Sequence, residues 1–232
     1  MYITLSKRLQ CMADKIKKGS VVADVGTDHG YIPAWLIQNG ICERIIASDI
    51  KPGPLQTAVK TAGNAGVEDK IDFRLCSGLD AYKEDEFDTA IIAGMGGETV
   101  ISILESCPWT KSKKLIIQPQ SKIPELRRWM AENGFAIYDA ELVYDTGRIY
   151  LVWQVSGGEV KPSACDYMID PQLLEKRDPL LGAYLDGIIK RELKILKGME
   201  KGANVSAGEL AWHKADIEQL KKIKEETETW QK

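Results

Sequence analysis

Two carboxylates that close apolar runs are the residues of this chain best suited to chemistry: Asp24 after Val21-Val22-Ala23, and Asp49 after Ile45-Ile46-Ala47-Ser48. Asp24 leads into Val25-Gly26-Thr27-Asp28-His29-Gly30-Tyr31, where two glycines permit a tight turn before a helix begins. Strand, turn and helix in that order place a small ligand at a helix N-terminus and at the carboxyl ends of parallel strands. Asp49 ends a second such strand, where an acid takes the hydroxyls of a ribose. Together these features imply a nucleoside-bearing ligand.

The letters of the turn narrow its chemistry. A dinucleotide fingerprint uses G-x-G-x-x-G to bring backbone against a pyrophosphate, whereas this turn reads D-V-G-T-D-H-G, with an acid on each side of the first glycine. Carboxylates repel a pyrophosphate and attract a sulfonium and a free ammonium. S-adenosylmethionine therefore fits better than NAD. Asp24 and the turn through Gly26, His29 and Gly30 would hold the methionine end, and Asp49 with its neighbour Ile50 the ribose. Ser77-Gly78-Leu79 follows a third strand, where a loop reaches an adenine ring. A fourth strand ending at Ala93 opens into Gly94-Met95-Gly96-Gly97, expected as a loop that brings bare backbone to the ligand.

The elements that must position these residues follow from periodicity. Leu5, Leu9, Met12, Ala13 and Ile16 predict an amphipathic helix over residues 4–17, with Lys7, Arg8, Lys15, Lys17 and Lys18 turned outward as either a solvated face or a phosphate contact. Helices are expected from Ile32 to Asn39, Leu55 to Ala65 and Ile123 to Asn133, each stopped by a glycine. Strands are expected at residues 71–75, 87–93 and 115–117, then a hairpin of Phe135 to Val143 and Arg148 to Val155 around Asp145-Thr146-Gly147. This pattern predicts an α/β fold with a mostly parallel seven-stranded sheet whose last strand is antiparallel. That is the Rossmann-like sheet of class I methyltransferases, by analogy of fold.

After Gly157-Gly158 the rhythm changes, which predicts a first domain over residues 1–158 and a helical one over 159–232. Leu181, Leu185, Ile188, Ile195 and Met199 fall at heptad-like spacing, with Glu192 interrupting; Leu210, Ile217, Leu220 and Ile223 follow a break at residues 198–204. Two helices folded back as a coiled-coil hairpin are expected, with Ser206 as an N-cap. Lys190, Arg191, Lys194, Lys197 and Lys201 form either a solvated face or an RNA-touching one.

Composition sets limits on these readings. With 232 residues, 44% hydrophobic and 28% charged, the chain has the make-up of an ordinary water-soluble protein with one full core and a smaller second unit. The 5 cysteines are scattered without C-x-x-C spacing, so neither a disulfide framework nor a metal site is indicated, and free thiols in a reducing cytoplasm are expected. No apolar run has the length of a membrane span, and the start lacks a signal-peptide layout. A net charge of −3 leaves RNA and small-molecule substrates both open.

D-V-G-T-D-H-G-Y-I-P (24–33), A-G-M-G-G (93–97), I-I-Q-P-Q (116–120) and the helical tail together resemble the TrmK family of bacterial tRNA (adenine-22-N1)-methyltransferases. The resemblance covers nearly the whole chain. It implies methyl transfer from S-adenosylmethionine to an adenine in the tRNA D-arm, with Asp24, Gly26, His29, Tyr31, Asp49 and Ser77-Gly78-Leu79 around the cofactor. Ala93 to Gly97 would stand where related adenine methyltransferases keep an N/D-P-P-Y loop, whose Asn or Asp and aromatic residue are absent here. That absence suits attack by ring N1, which carries a free lone pair and needs no base.

Methyl transfer moves positive charge onto the adenine ring, which a nearby carboxylate favours. Asp28 is the candidate, with His29 and Tyr31 as orienting or stacking groups and Gln118 placed to meet the adenine edge. Each has a structural alternative: Asp28 as a helix cap, His29 bonded within its turn, Tyr31 packed on the sheet. No DNA partner is expected, and a monomer is favoured. A small-molecule methyltransferase and a non-catalytic cofactor-binding module that recruits a partner through the coiled coil remain the competing functions.

Overall fold

The strand that carries Asp24, β1 (Val22–Val25), is buried along its whole length and pairs in parallel with β2 (Ile45–Asp49) and β4 (Thr89–Gly96). Its apolar residues are covered on both sheet faces, as in all-parallel sheets flanked by helices. The computed structural model describes residues 1–159, 168–201 and 205–230. Cys165 and part of the expected break before Ser206 lie outside them.

With β3 (Ile71–Leu75), β5 (Lys114–Ser121), β6 (Phe135–Asp145) and β7 (Arg148–Gly157), the sheet has seven strands in the order β3-β2-β1-β4-β5-β7-β6. Strand β7 runs antiparallel to both β5 and β6, and the other pairings are parallel. The order reverses between β1 and β4, where open α/β sheets hold their ligands. The β6–β7 hairpin turns on Thr146 and Gly147, both at positive φ (46° and 82°), the conformation that a two-residue turn matched to strand twist requires.

Helices α2 (Tyr31–Gln38), α3 (Pro52–Ala65), α4 (Gly97–Ser106) and α5 (Ile123–Glu132) connect the strands. At the start of α4, a Cβ on Gly97 would lie 2.5 Å from the Lys122 carbonyl oxygen, so only glycine lets the helix begin this close to the chain after β5.

The first helix, α1 (Lys7–Ala13), is shorter than its periodicity predicts, and two of the cations expected to face outward, Arg8 and Lys15, are tied to later strands. The Lys15 side chain is 8% exposed and pairs with Glu141 at 2.5 Å and Asp139 at 3.5 Å on β6. Arg8 donates from its backbone N–H to Asp145 Oδ2 at 3.1 Å. The hairpin returns against α1, so the face that a lone helix would give to water is covered by late strands.

The chain divides into two units, Met1–Met168 and Ile169–Lys232. In the second, α6 (Pro171–Glu175) precedes α7 (Leu181–Met199) and α8 (Ala207–Thr229). Lys224 bonds Asp186, and His213 lies 3.5 Å from Glu192, pairings that run antiparallel along the two helices. Ser206 and Glu209 form a reciprocal capping box at the start of α8. The buried stripe of α7 is Leu181, Leu185, Ile188, Ile189, Glu192 and Leu196, whereas Ile195 is 45% exposed. The stripe therefore follows the 3.6-residue helical period, and Glu192 belongs to it, held by Arg191 and His213.

Candidate functional site

A cavity of about 940 Å³ opens at the carboxyl ends of β1, β2 and β4. Asp24, Gly26, Asp28, His29 and Tyr31 line it from the first turn, Asp49 and Ile50 from the end of β2, Ser77 and Gly78 from the loop after β3, and Ala93, Gly94 and Met95 from β4. The residues expected to bind one nucleoside thus converge from four strand ends.

The first turn is built by hydrogen bonds to β2. The N–H groups of Gly26 and Thr27 both donate to the Ser48 carbonyl, at 2.9 and 2.8 Å. Gly26 adopts φ 75°, and a Cβ there would collide with the methyl end of Met95. Asp28 stands at φ 51° and donates its N–H to Asp49 Oδ2 at 3.2 Å, while Lys51 N–H donates to Oδ1 at 2.9 Å. Both oxygens of Asp49 are thereby oriented by backbone donors.

Asp24 is buried, and Thr27 Oγ1 donates to its Oδ2 at 2.6 Å. Burial pushes its carboxyl up to about 6, the Thr27 hydrogen bond works against that shift, and Asp49 adds to it. Because the folded-state value lies above that of an unfolded chain, ionised Asp24 costs the unliganded protein stability as pH rises from about 4 through 6. A cation bound beside it removes that cost.

Asp28 is 67% exposed at its side chain, with His29 Nε2 3.5 Å from its Oδ2. The His29 and Tyr31 rings stack at 5.5 Å. Neither aromatic ring is packed into the sheet, and both face the cavity.

Four expected site residues are not on the cavity wall. Gly30 packs against Ala58, where a Cβ would come within 2.8 Å of that methyl, and Gly96 faces Ser121. Leu79 is buried in the core at 1% exposure. Gln118 is fully buried: its Oε1 accepts from Arg8 Nη1 at 2.8 Å, and its Nε2 donates to the Pro119 carbonyl at 3.0 Å. Gln118 therefore anchors Arg8, while Gln120, two residues along the same strand face, reaches the wall.

Other changes share one cause. The expected loop after β4 is strand through Gly96, and Gln118-Pro119-Gln120 is strand in β5; the two pair with register shifts around Met95. Those irregularities turn the strand end toward the cavity. Sequence reasoning left Arg8 open between a solvated face and a phosphate contact, and missed Thr27, Lys51 and Gln120, and also Thr99, Ser102 and Ile103 of α4. The spacing of the last three along one helix face is a detectable signal; that Arg8 is held at the cavity follows only once Gln118 of β5 and Tyr150 of the hairpin pack against it.

Comparison with known proteins places this arrangement. A family described as "Methyltransferase domain" matches residues 5–153. The tRNA (adenine(22)-N(1))-methyltransferase of Bacillus subtilis (strain 168) is 34% identical over 159 residues, 68% of this chain and 67% of that protein. The chain belongs to the TrmK family. Its fold superposes on the crystal structure of the B. subtilis M1A22 tRNA methyltransferase TrmK with a TM-score of 0.85 at 27% identity, covering 95% of this chain and 99% of that one. A putative tRNA (m1A22) methyltransferase of Streptococcus pneumoniae, solved in complex with S-adenosyl-L-methionine, matches at TM-score 0.79 and 30% identity over 95% and 99% of the two chains. As a TrmK member, the chain keeps its two strand-end acids at the sheet's switch point, in a cavity large enough for a nucleoside cofactor.

Proposed function

We infer that this chain transfers a methyl group from S-adenosylmethionine to N1 of adenine 22 in tRNA. The observation that carries this is the pair of oriented carboxylates, Asp24 and Asp49, on one cavity wall with no phosphate cradle between them. An acidic wall suits an ammonium and a ribose diol, and the relatives of this chain include an m1A22 methyltransferase and a homologue solved with this cofactor.

When bound, the cofactor supplies an electrophilic methyl on a sulfonium. Asp49 takes the ribose hydroxyls, Asp24 attracts the ammonium, and Ser77-Gly78 flanks the adenine of the cofactor. The target adenine enters beside Gly94 and Gln120. Its N1 lone pair needs no base, so the chain has to align N1 with the methyl carbon, and alignment of that kind contributes up to roughly 7–11 kcal/mol. Asp28 faces the ring as it becomes cationic, with His29 and Tyr31 holding the orientation. We place the target in the D-arm, the reaction in the cytoplasm, and further tRNA contact on the exposed Lys190, Arg191, Lys194 and Lys197 of α7 and Lys201 just beyond it.

The test is transfer of labelled methyl to unmodified tRNA, followed by nucleoside analysis. Label in 1-methyladenosine is expected, and none when the adenine at position 22 is replaced. Label in another nucleoside, or none in tRNA, overturns the reading. Affinity for the cofactor should also fall on acidification below pH 6, by up to tenfold per pH unit, because protonated Asp24 no longer attracts an ammonium. Calorimetry between pH 5 and 8 should find the dependence flattened in Asp24→Asn.

A further inference from the structure

Arg8 is the guanidinium on the cavity wall, and its setting is specific. One Nη donates to the buried Gln118 Oε1 at 2.8 Å, and the guanidinium lies 5.2 Å over the Tyr150 ring. Its Nη1 is 4.0 Å from where a Cβ on Gly94 would stand, so the head sits over the glycine-bearing end of β4. Arginine has five N–H donors, and among the described residues this one group uses a single protein acceptor. A charged head clamped by a buried amide and an aromatic face is preorganised, with most of its donors available to a ligand.

We propose that Arg8 binds a phosphate flanking the target nucleotide and so fixes the depth at which the adenine enters; this rests on the tRNA methylation reading above. Charge decides against the adenine ring as its partner. The ring gains positive charge during transfer and the donor is already a sulfonium, so a second cation directed at the ring would oppose the reaction. The anions that accompany a nucleotide into the cavity are its own phosphates, and a guanidinium fork matches phosphate oxygens.

The test uses the full chain and tRNA transcripts in which each phosphate flanking the target adenosine is replaced, one at a time, by an uncharged methylphosphonate. Arg8→Gln should lower kcat/KM for tRNA by 10- to 100-fold and leave the dissociation constant for S-adenosylmethionine within twofold, which also verifies folding. Arg8→Lys, which keeps the charge without the fork, should fall between. The slope of log affinity for tRNA against log salt should shrink by about one in Arg8→Gln. One methylphosphonate should weaken the wild type as much as Arg8→Gln does, and have no further effect on that variant. Independent, multiplying losses, or an Arg8→Gln chain with unchanged kcat/KM, overturn the proposal. A wild-type chain that binds the cofactor and methylates no tRNA is a different outcome, which overturns the underlying reading as well.

Discussion

Asp49→Ala is expected to raise the dissociation constant for S-adenosylmethionine by 10²- to 10³-fold while the protein stays folded. The carboxylate is held from both sides, with Lys51 N–H on Oδ1 at 2.9 Å and Asp28 N–H on Oδ2 at 3.2 Å. A ribose diol therefore meets an acceptor pair already in position. Hydrogen bonds to a charged group contribute about 1.5–3 kcal/mol each, and two of them correspond to the stated range when allowance is made for non-additivity. Asp49→Asn keeps the shape and one carbonyl acceptor and should lose less. Titration calorimetry measures both variants, and a change below threefold in Asp49→Ala would remove the ribose from this residue.

The second large effect separates chemistry from binding. Asp28→Asn should lower kcat by roughly 10²-fold and leave cofactor affinity within about threefold, in line with the loss of one electrostatic stabiliser. Asparagine is the informative replacement because Asp28 sits at φ 51°, a conformation that Asn tolerates and Ala does not. The side chain is 67% exposed in the unliganded chain, so its charge is screened there. A nucleotide that fills the cavity displaces that water and strengthens the field at the ring. Single-turnover methylation together with calorimetry decides the matter: parallel losses in both would make Asp28 a binding residue, and an unchanged kcat would leave it no part in transfer.

Much of the fold was readable because local pattern and tertiary context agree. Strand β3 falls on the five residues that alternation marks, Ile71 to Leu75. The hairpin follows its turn residues, and Ser206 caps α8 as expected. The converging strand ends were readable too, since Asp24 and Asp49 each terminate a run that is buried on both faces. What local pattern could not carry was set by partners distant in sequence. Glycines 94 and 96 look like loop, yet pairing with β5 draws them into β4. Gln118 resembles a wall residue, yet β5 runs on through Ser121, so that Gln118 is buried under Arg8 and Gln120, two residues farther along the same face, reaches the wall. Arg8 and Lys15 look solvated on a helical wheel, and become anchored only because residues more than a hundred positions later pack against them. Ile195 continues a heptad on paper, whereas α7 keeps an ordinary helical period and buries Leu196 instead.

The tie between α1 and the β6–β7 hairpin also bears on how the protein comes into being. Arg8 meets Asp145, Lys15 meets Glu141, and Lys114 Nζ donates to the Lys15 carbonyl at 2.7 Å. Residues 7–15 leave the ribosome long before these partners are made, and contacts of such separation form late. The α1 segment therefore docks after the strands that follow it have been made, and a nascent chain cut short before the hairpin holds both acids of the pocket and Gln118 but lacks the Tyr150 ring that completes the seat of the Arg8 guanidinium.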